Sequence, residues 1–153
     1  MLKVALDSNI LAYAEGVDDP ERQAVARALI DHLDEETTVI PGQALGELYN
    51  VLLRKGNFTR DEARKTVTVW RDIFPIGPTT EAALLAAIDL ATDHRLKIWD
   101  SIIISVAAES GCRLLLSEDM QEGFTWCGVT VVNPFASSQH PLLTALLDAD
   151  DED

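Results

Sequence analysis

The chain has 153 residues, 47% of them apolar and 25% charged, with a net charge of −14. That length suits one domain able to bury its own core, with the composition of an ordinary globular protein. The charge argues against nucleic-acid binding over the whole surface, and no apolar run is long enough to span a bilayer.

The opening segment "LKVALDSNIL" reads as a buried strand over residues 2–6, interrupted by Asp7, Ser8 and Asn9. No signal-peptide core is visible in it, so an intracellular, cytoplasmic protein is expected. Asp19 followed by Pro20 marks a helix start. Val25, Leu29, Ile30 and Leu33 at helical spacing carry that helix to about Asp34. A short strand is predicted over 38–40. Leu45, Leu48, Val51 and Leu52 then predict a helix over 43–55, stopped by Gly56.

Thr59 with Glu62 forms a capping box that opens a helix ending near Phe74. A short strand is expected over 74–76. Thr80 caps a helix through about His94, and a nearly all-apolar helix follows over 99–110, ended by Gly111. Strands are expected over 113–116 and 129–132. Residues 137–153 read as a tail, with one or two helical turns at 141–147 and a disordered acidic end. Cys112 and Cys127 lack metal-finger spacing and should remain thiols.

Strands alternating with helices imply an α/β fold, a three-layer α/β/α sandwich around a mainly parallel sheet of about five strands. Ligand sites in such sheets lie beyond the carboxyl ends of the strands. Four acids are expected there. Asp7 follows the first strand, Asp119 follows the strand at 113–116, Asp100 lies in the first turn of its helix, and Glu47 sits among Leu45, Leu48 and Val51.

Taken singly, Asp7 reads as a turn or cap residue. Asp100 reads as a favourable charge at a helix N-terminus, and Asp119 as a loop acid. Glu47 on an apolar helix face needs a partner. Together, four carboxylates at one edge would repel one another unless a divalent cation joined them. An oxygen-only set favours Mg²⁺ or Mn²⁺ over zinc, and His32, His94 and His140 show no ligand spacing.

Charge is uneven along the chain. Five acids fall in the last six residues, and six of the twelve basic residues lie between Arg54 and Arg71. The plain reading of that island is a solvated helix face with i,i+4 pairs. The plain reading of the tail is a solubilising end. Folding of its acids back onto the island is the alternative.

These residues resemble the PIN-domain family. "LDSNIL" is similar to its first-strand motif, with Asp7 as the acid, and "ALGELYNVLLRKG" to its second, with Glu47. "WDSIIISVAAESGCRLLLSED" resembles the third and fourth, with Asp100, Ser117 and Asp119, and "VVNPF" the closing segment. The match covers residues 2–135, with all four acids in order.

The resemblance implies a PIN-like nuclease domain over 1–136. It further implies a Mg²⁺- or Mn²⁺-dependent ribonuclease of the VapC-like toxin type, a homodimer neutralised by a small antitoxin. Asp7, Glu47, Asp100 and Asp119 would form the metal site for one or two ions. Asn9 and Ser117 would orient the ligands, with Glu118 a competitor for the role of Asp119. Arg54, Lys55, Arg60, Arg64 and Lys65 would contact either RNA phosphates or the antitoxin.

Two other readings remain open. The same fold could be a protein-binding module with idle acids, which the net charge of −14 favours. A phosphotransfer domain with an Asp acceptor would want further acids beside or two residues after Asp7. Ser8 and Asn9 stand there instead.

Overall fold

Strand β1 (Val4–Leu6) lies at the heart of the sheet because it has nowhere else to put its side chains: all three are fully buried. The computed structural model describes residues 2–149. After β1 come α1 (Ser8–Ala14), α2 (Pro20–Asp31), β2 (Thr38–Pro41), α3 (Gly42–Arg54), α4 (Arg60–Ile73) and β3 (Ile76–Gly77). The chain continues with α5 (Glu81–His94), α6 (Ile98–Glu109), β4 (Leu114–Leu116), β5 (Thr125–Trp126), β6 (Val129–Val132) and α7 (Pro141–Asp148).

The sheet order is β3-β2-β1-β4-β6-β5. Every pairing is parallel except that of β5 with β6. In register, Val4, Ala5 and Leu6 face Leu114, Leu115 and Leu116. Both central strands are continuous apolar runs, as a parallel sheet covered by helices on both faces requires. The ladder continues past the strand ends: Asp7 N–H donates to Leu116 O at 3.0 Å, and Ser117 N–H to Val132 O at 3.0 Å. The sheet itself thereby fixes the backbone of two candidate site residues.

The local start signals operate as the sequence indicates. Asp19 accepts from Glu21 and Arg22 N–H at the start of α2. Thr59 and Glu62 make a reciprocal capping box on α4, and Thr80 accepts from Ala83 N–H on α5. Gly77 is required by close approach: a Cβ there would lie 2.8 Å from Val106 Cγ1 on α6.

Two details differ from expectation. Residues 8–14, read only as a polar turn and a resumed apolar run, form helix α1. The sheet has six strands rather than about five, because Thr125–Trp126 adds an antiparallel edge strand. Its turn is Cys127-Gly128, with φ of 47° and 85°, the left-handed pair that a two-residue hairpin needs to match strand twist. The one or two helical turns expected at 141–147 are present as helix α7, which buries Leu143. The disordered acidic end expected there falls mostly at residues 150–153, outside the described residues.

Cys112 is buried and Cys127 exposed, both as free thiols. Thr38 Oγ1 is buried with no hydrogen-bond partner among the described residues. No helix among those residues is long and apolar enough to cross a membrane.

Candidate metal centre

Asp7 ends β1 and begins α1 in one residue. Its extended backbone lets Oδ1 accept from Ser8 N–H at 2.7 Å, the N-cap contact of α1. Its Oδ2 accepts from the Ser117 hydroxyl at 2.7 Å and from Asn9 Nδ2 at 3.3 Å. The carboxyl is 4% exposed. Burial pushes its pKa up to about 7, against the lowering pull of Ser117 and the Ser8 N–H, with Glu47 and Asp100 adding repulsion.

Ser117 Oγ is fully committed. Besides donating to Asp7, it accepts from Asn9 Nδ2 and from Asp119 N–H, each at 3.3 Å. The Asn9 amide joins three partners through Nδ2: Asp7, Ser117 and Asp119, whose Oδ2 is 3.3 Å away. Its Oδ1 accepts from Glu118 N–H at 3.0 Å. One side chain thus ties the end of β1 to the loop after β4.

The other two acids arrive on helices that start at the same edge. Glu47 lies in the second turn of α3, and Asp100 in the first turn of α6. Glu47 accepts from Ser8 Oγ at 3.1 Å and from Gln43 Nε2 at 3.3 Å. Burial raises its pKa, opposed by those two hydrogen bonds and reinforced by Asp100 and Asp119. Burial also raises that of Asp100, with nearby Lys97 pulling it down and Asp119 pushing it up. The acids therefore share one electrostatic neighbourhood and run from buried Asp7, through half-buried Glu47 and Asp100, to exposed Asp119. Among the described residues, no three His, Cys, Asp or Glu side chains are gathered tightly enough to hold an ion as they stand.

The Glu118 carboxylate is engaged elsewhere. It accepts from Tyr13 Oη at 2.6 Å and from Arg22 Nε. The Arg22 guanidinium also lies over the Tyr13 and Phe135 rings, 5.7 and 5.6 Å from their centroids. The negative partner raises the Tyr13 pKa further above burial alone. Only the backbone of Glu118 reaches Asn9.

The basic island divides. Lys55 lines a cavity of about 110 Å³ with Ser8, Asn9 and Asp119. Arg60 and Arg64 border a groove of about 590 Å³ between α3 and α4, floored by Leu45, Tyr49 and Val67. Arg64 and Lys65 both pair with Asp61, the latter at 3.2 Å. Arg54 is exposed in the last turn of α3.

Sequence reasoning missed Ser8, Gln43, Tyr13 and Arg22. Gln43 could have been found, since it stands four residues before Glu47 on one helix face. The other three act across chain separations of 39, 105 and 96 residues, where spacing carries no signal.

An open α/β sheet with acids gathered beyond its carboxyl ends defines the class. A PIN-domain family model matches residues 4–121. The chain belongs to the PIN-domain family. No curated protein sequence matches it. The fold is similar to the DNA-bound VapBC of Salmonella typhimurium, with a TM-score of 0.67 at 16% identity, covering 88% of this chain and 99% of that one. It is also similar to a toxin–antitoxin complex from Klebsiella pneumoniae, with a TM-score of 0.67 at 16% identity, covering 87% and 98%. A third is VapC20 of Mycobacterium tuberculosis, described as a toxin that cleaves the sarcin-ricin loop. Its TM-score is 0.64 at 14% identity, covering 74% of this chain and 87% of that chain. At such identities the likeness is one of fold.

Proposed function

We propose that the chain is a divalent-metal-dependent endoribonuclease of the toxin kind, hydrolysing RNA phosphodiester bonds. The observation that carries this reading is Asp7, a buried carboxyl held by Ser117 and Asn9 and electrostatically coupled to Glu47 and Asp100. The all-oxygen donor set fits Mg²⁺ or Mn²⁺. Asp7, Glu47, Asp100 and Asp119 would hold the ion or ions. When bound, such an ion supplies Lewis-acid activation of the phosphodiester and of water.

The remaining roles belong to this chain. Asn9 and Ser117 keep the Asp7 and Asp119 carboxylates aimed. Asp119 rather than Glu118 is the fourth acid, because the Glu118 carboxylate is neutralised by Arg22. Lys55, beside the acids, takes a phosphate of the substrate. Arg60 and Arg64, with exposed Arg54 and Lys65 beside them, serve either the RNA backbone or an antitoxin segment laid in the α3–α4 groove. A homodimer would use the exposed α5 face of Leu84, Leu85 and Ile88.

The test compares purified wild type with Asp7→Asn and Asp100→Asn. Wild type should cut single-stranded RNA with Mn²⁺ present, leaving 5′-phosphate ends. Both variants should lose about 100-fold or more of that rate with unchanged circular dichroism. Undiminished cleavage in both variants would sink the reading. The net charge of −14 favours the second reading, a protein-binding module with idle acids. Calorimetry with Mn²⁺ that shows no binding would support it.

A further inference from the structure

We infer that the cavity beside Asp100 and Asp119 receives one unstacked base of the RNA, adjoining the bond that is cut. This rests on the nuclease reading and names part of its substrate site.

The cavity holds about 210 Å³. That is below the roughly 300–1,000 Å³ of sites that take drug-sized ligands, and it suits a single planar ring. Its walls are Leu96, Ile104, Met120, Phe124 and Val131. Asp100 and Asp119 border it directly, so an occupant would be next to the reacting phosphate. Arg95 and Lys97 stand at the same cavity. Apolar walls with an aromatic ring suit the face of a base, and the two cations suit the phosphates on either side of it. The Gln121 side chain offers both a donor and an acceptor for a base edge.

The wall is built rather than loose. Val131 N–H donates to Phe124 O at 2.9 Å, Gly123 N–H to Val131 O at 2.8 Å, and Phe124 N–H to Gln121 O at 3.2 Å. The Phe124 ring meets His94 edge-on, with centroids 5.4 Å apart. Arg95 ends α5 in the left-handed conformation, at φ 56° and ψ 37°. Glycine ordinarily fills such a position, and a strained residue beside a site points to a use for its side chain. From this position Arg95 lines the cavity.

A protein side chain could also enter an apolar hole of this size. The two cations facing the acidic edge favour a phosphate-bearing occupant, and the experiment separates the two. The cut site is first mapped with wild type, Mn²⁺ and a randomised single-stranded RNA pool. An oligonucleotide spanning that site is then prepared with an abasic residue at each position in turn. Its cleavage is followed with wild type, Phe124→Ala and Arg95→Gly, and its binding by anisotropy in the Asp7→Asn background.

One abasic position next to the cut should weaken binding to the Asp7→Asn protein, its cavity otherwise unaltered, about tenfold. The same loss should be nearly absent in Phe124→Ala, because base and ring act as one unit. Arg95→Gly should bind RNA more weakly while its Tm holds or rises, since glycine relieves the left-handed strain. Should Phe124→Ala fail to fold, Arg95→Gly still decides. If wild type cleaves but no position shows an effect that the variants abolish, the inference is overturned and the cavity is left to a protein side chain. If wild type cleaves no RNA at all, the nuclease reading itself falls and this one with it.

Discussion

Asp7 caps a helix and heads an acidic cluster with the same carboxyl, and the two duties want different things. The cap contact favours the charged form. Burial opposes it more strongly and sets the pKa near 7, against an ordinary value of 3.8. Between those values the folded protein holds a proton that the unfolded chain has released, so stability falls as pH rises from about 4 to 7 and stays low above. A rise of this size in so buried a group corresponds to on the order of 4 kcal/mol. Glu47 and Asp100 act with the same sign. In EDTA, the urea midpoint should therefore be lower at pH 8 than at pH 5. Asp7→Asn should flatten that difference, because it removes the titrating carboxyl while its amide oxygen can still cap Ser8 N–H. A midpoint that climbs with pH in wild type would contradict the account.

Single elements were legible where their signals are local. Asp19-Pro20, the Thr59–Glu62 box and Thr80 each mark a helix start through contacts two or three residues long. Helix α1 escaped because it spans only seven residues and buries Ser8, Ile10, Leu11, Ala12 and Ala14, nearly its whole circumference. No polar face remains to show a period. Strand β5 escaped because its turn is Cys127-Gly128 rather than the Asn-Gly that usually announces a hairpin. The exposed Cys127 holds a positive φ of 47° with a side chain ill suited to it. Cys127→Asn should thus raise stability by about 1 kcal/mol, read as a shift in urea midpoint with unchanged slope. A loss of stability would mean that the thiol makes a packing contribution larger than the strain.

At the scale of the whole molecule, charge sets the terms. A chain at −14 repels itself when salt is low. Raising NaCl from about 10 to about 150 mM should raise Tm by screening that repulsion. Mn²⁺ at matched ionic strength should raise it further in wild type, through binding to the folded acids. That extra increment should vanish in Asp100→Asn, while the NaCl effect persists. Equal responses in both proteins would mean that the ion acts only as a screen. The acids themselves were readable because a parallel sheet brings the ends of β1 and β4 and the starts of α3 and α6 to one edge. What holds them was not, since Ser8 meets Glu47 and Arg22 meets Glu118 only after the chain has packed. The division of the basic island was equally hidden: Asp61 takes both Arg64 and Lys65, whereas Lys55 lies beside the acids.

The Asn9 amide reaches Glu118 across 109 residues of chain. A polypeptide leaving the ribosome carries Asp7 and Glu47 through a long stretch of its synthesis without β4, Ser117 or Asp119 to assemble them, and Asp100 emerges only shortly before those. Translation that stops between Asp100 and Ser117 yields a product with three of the four acids and no clasp to gather them. Such a fragment lacks the completed acidic edge, which needs the end of β4 and the loop after it.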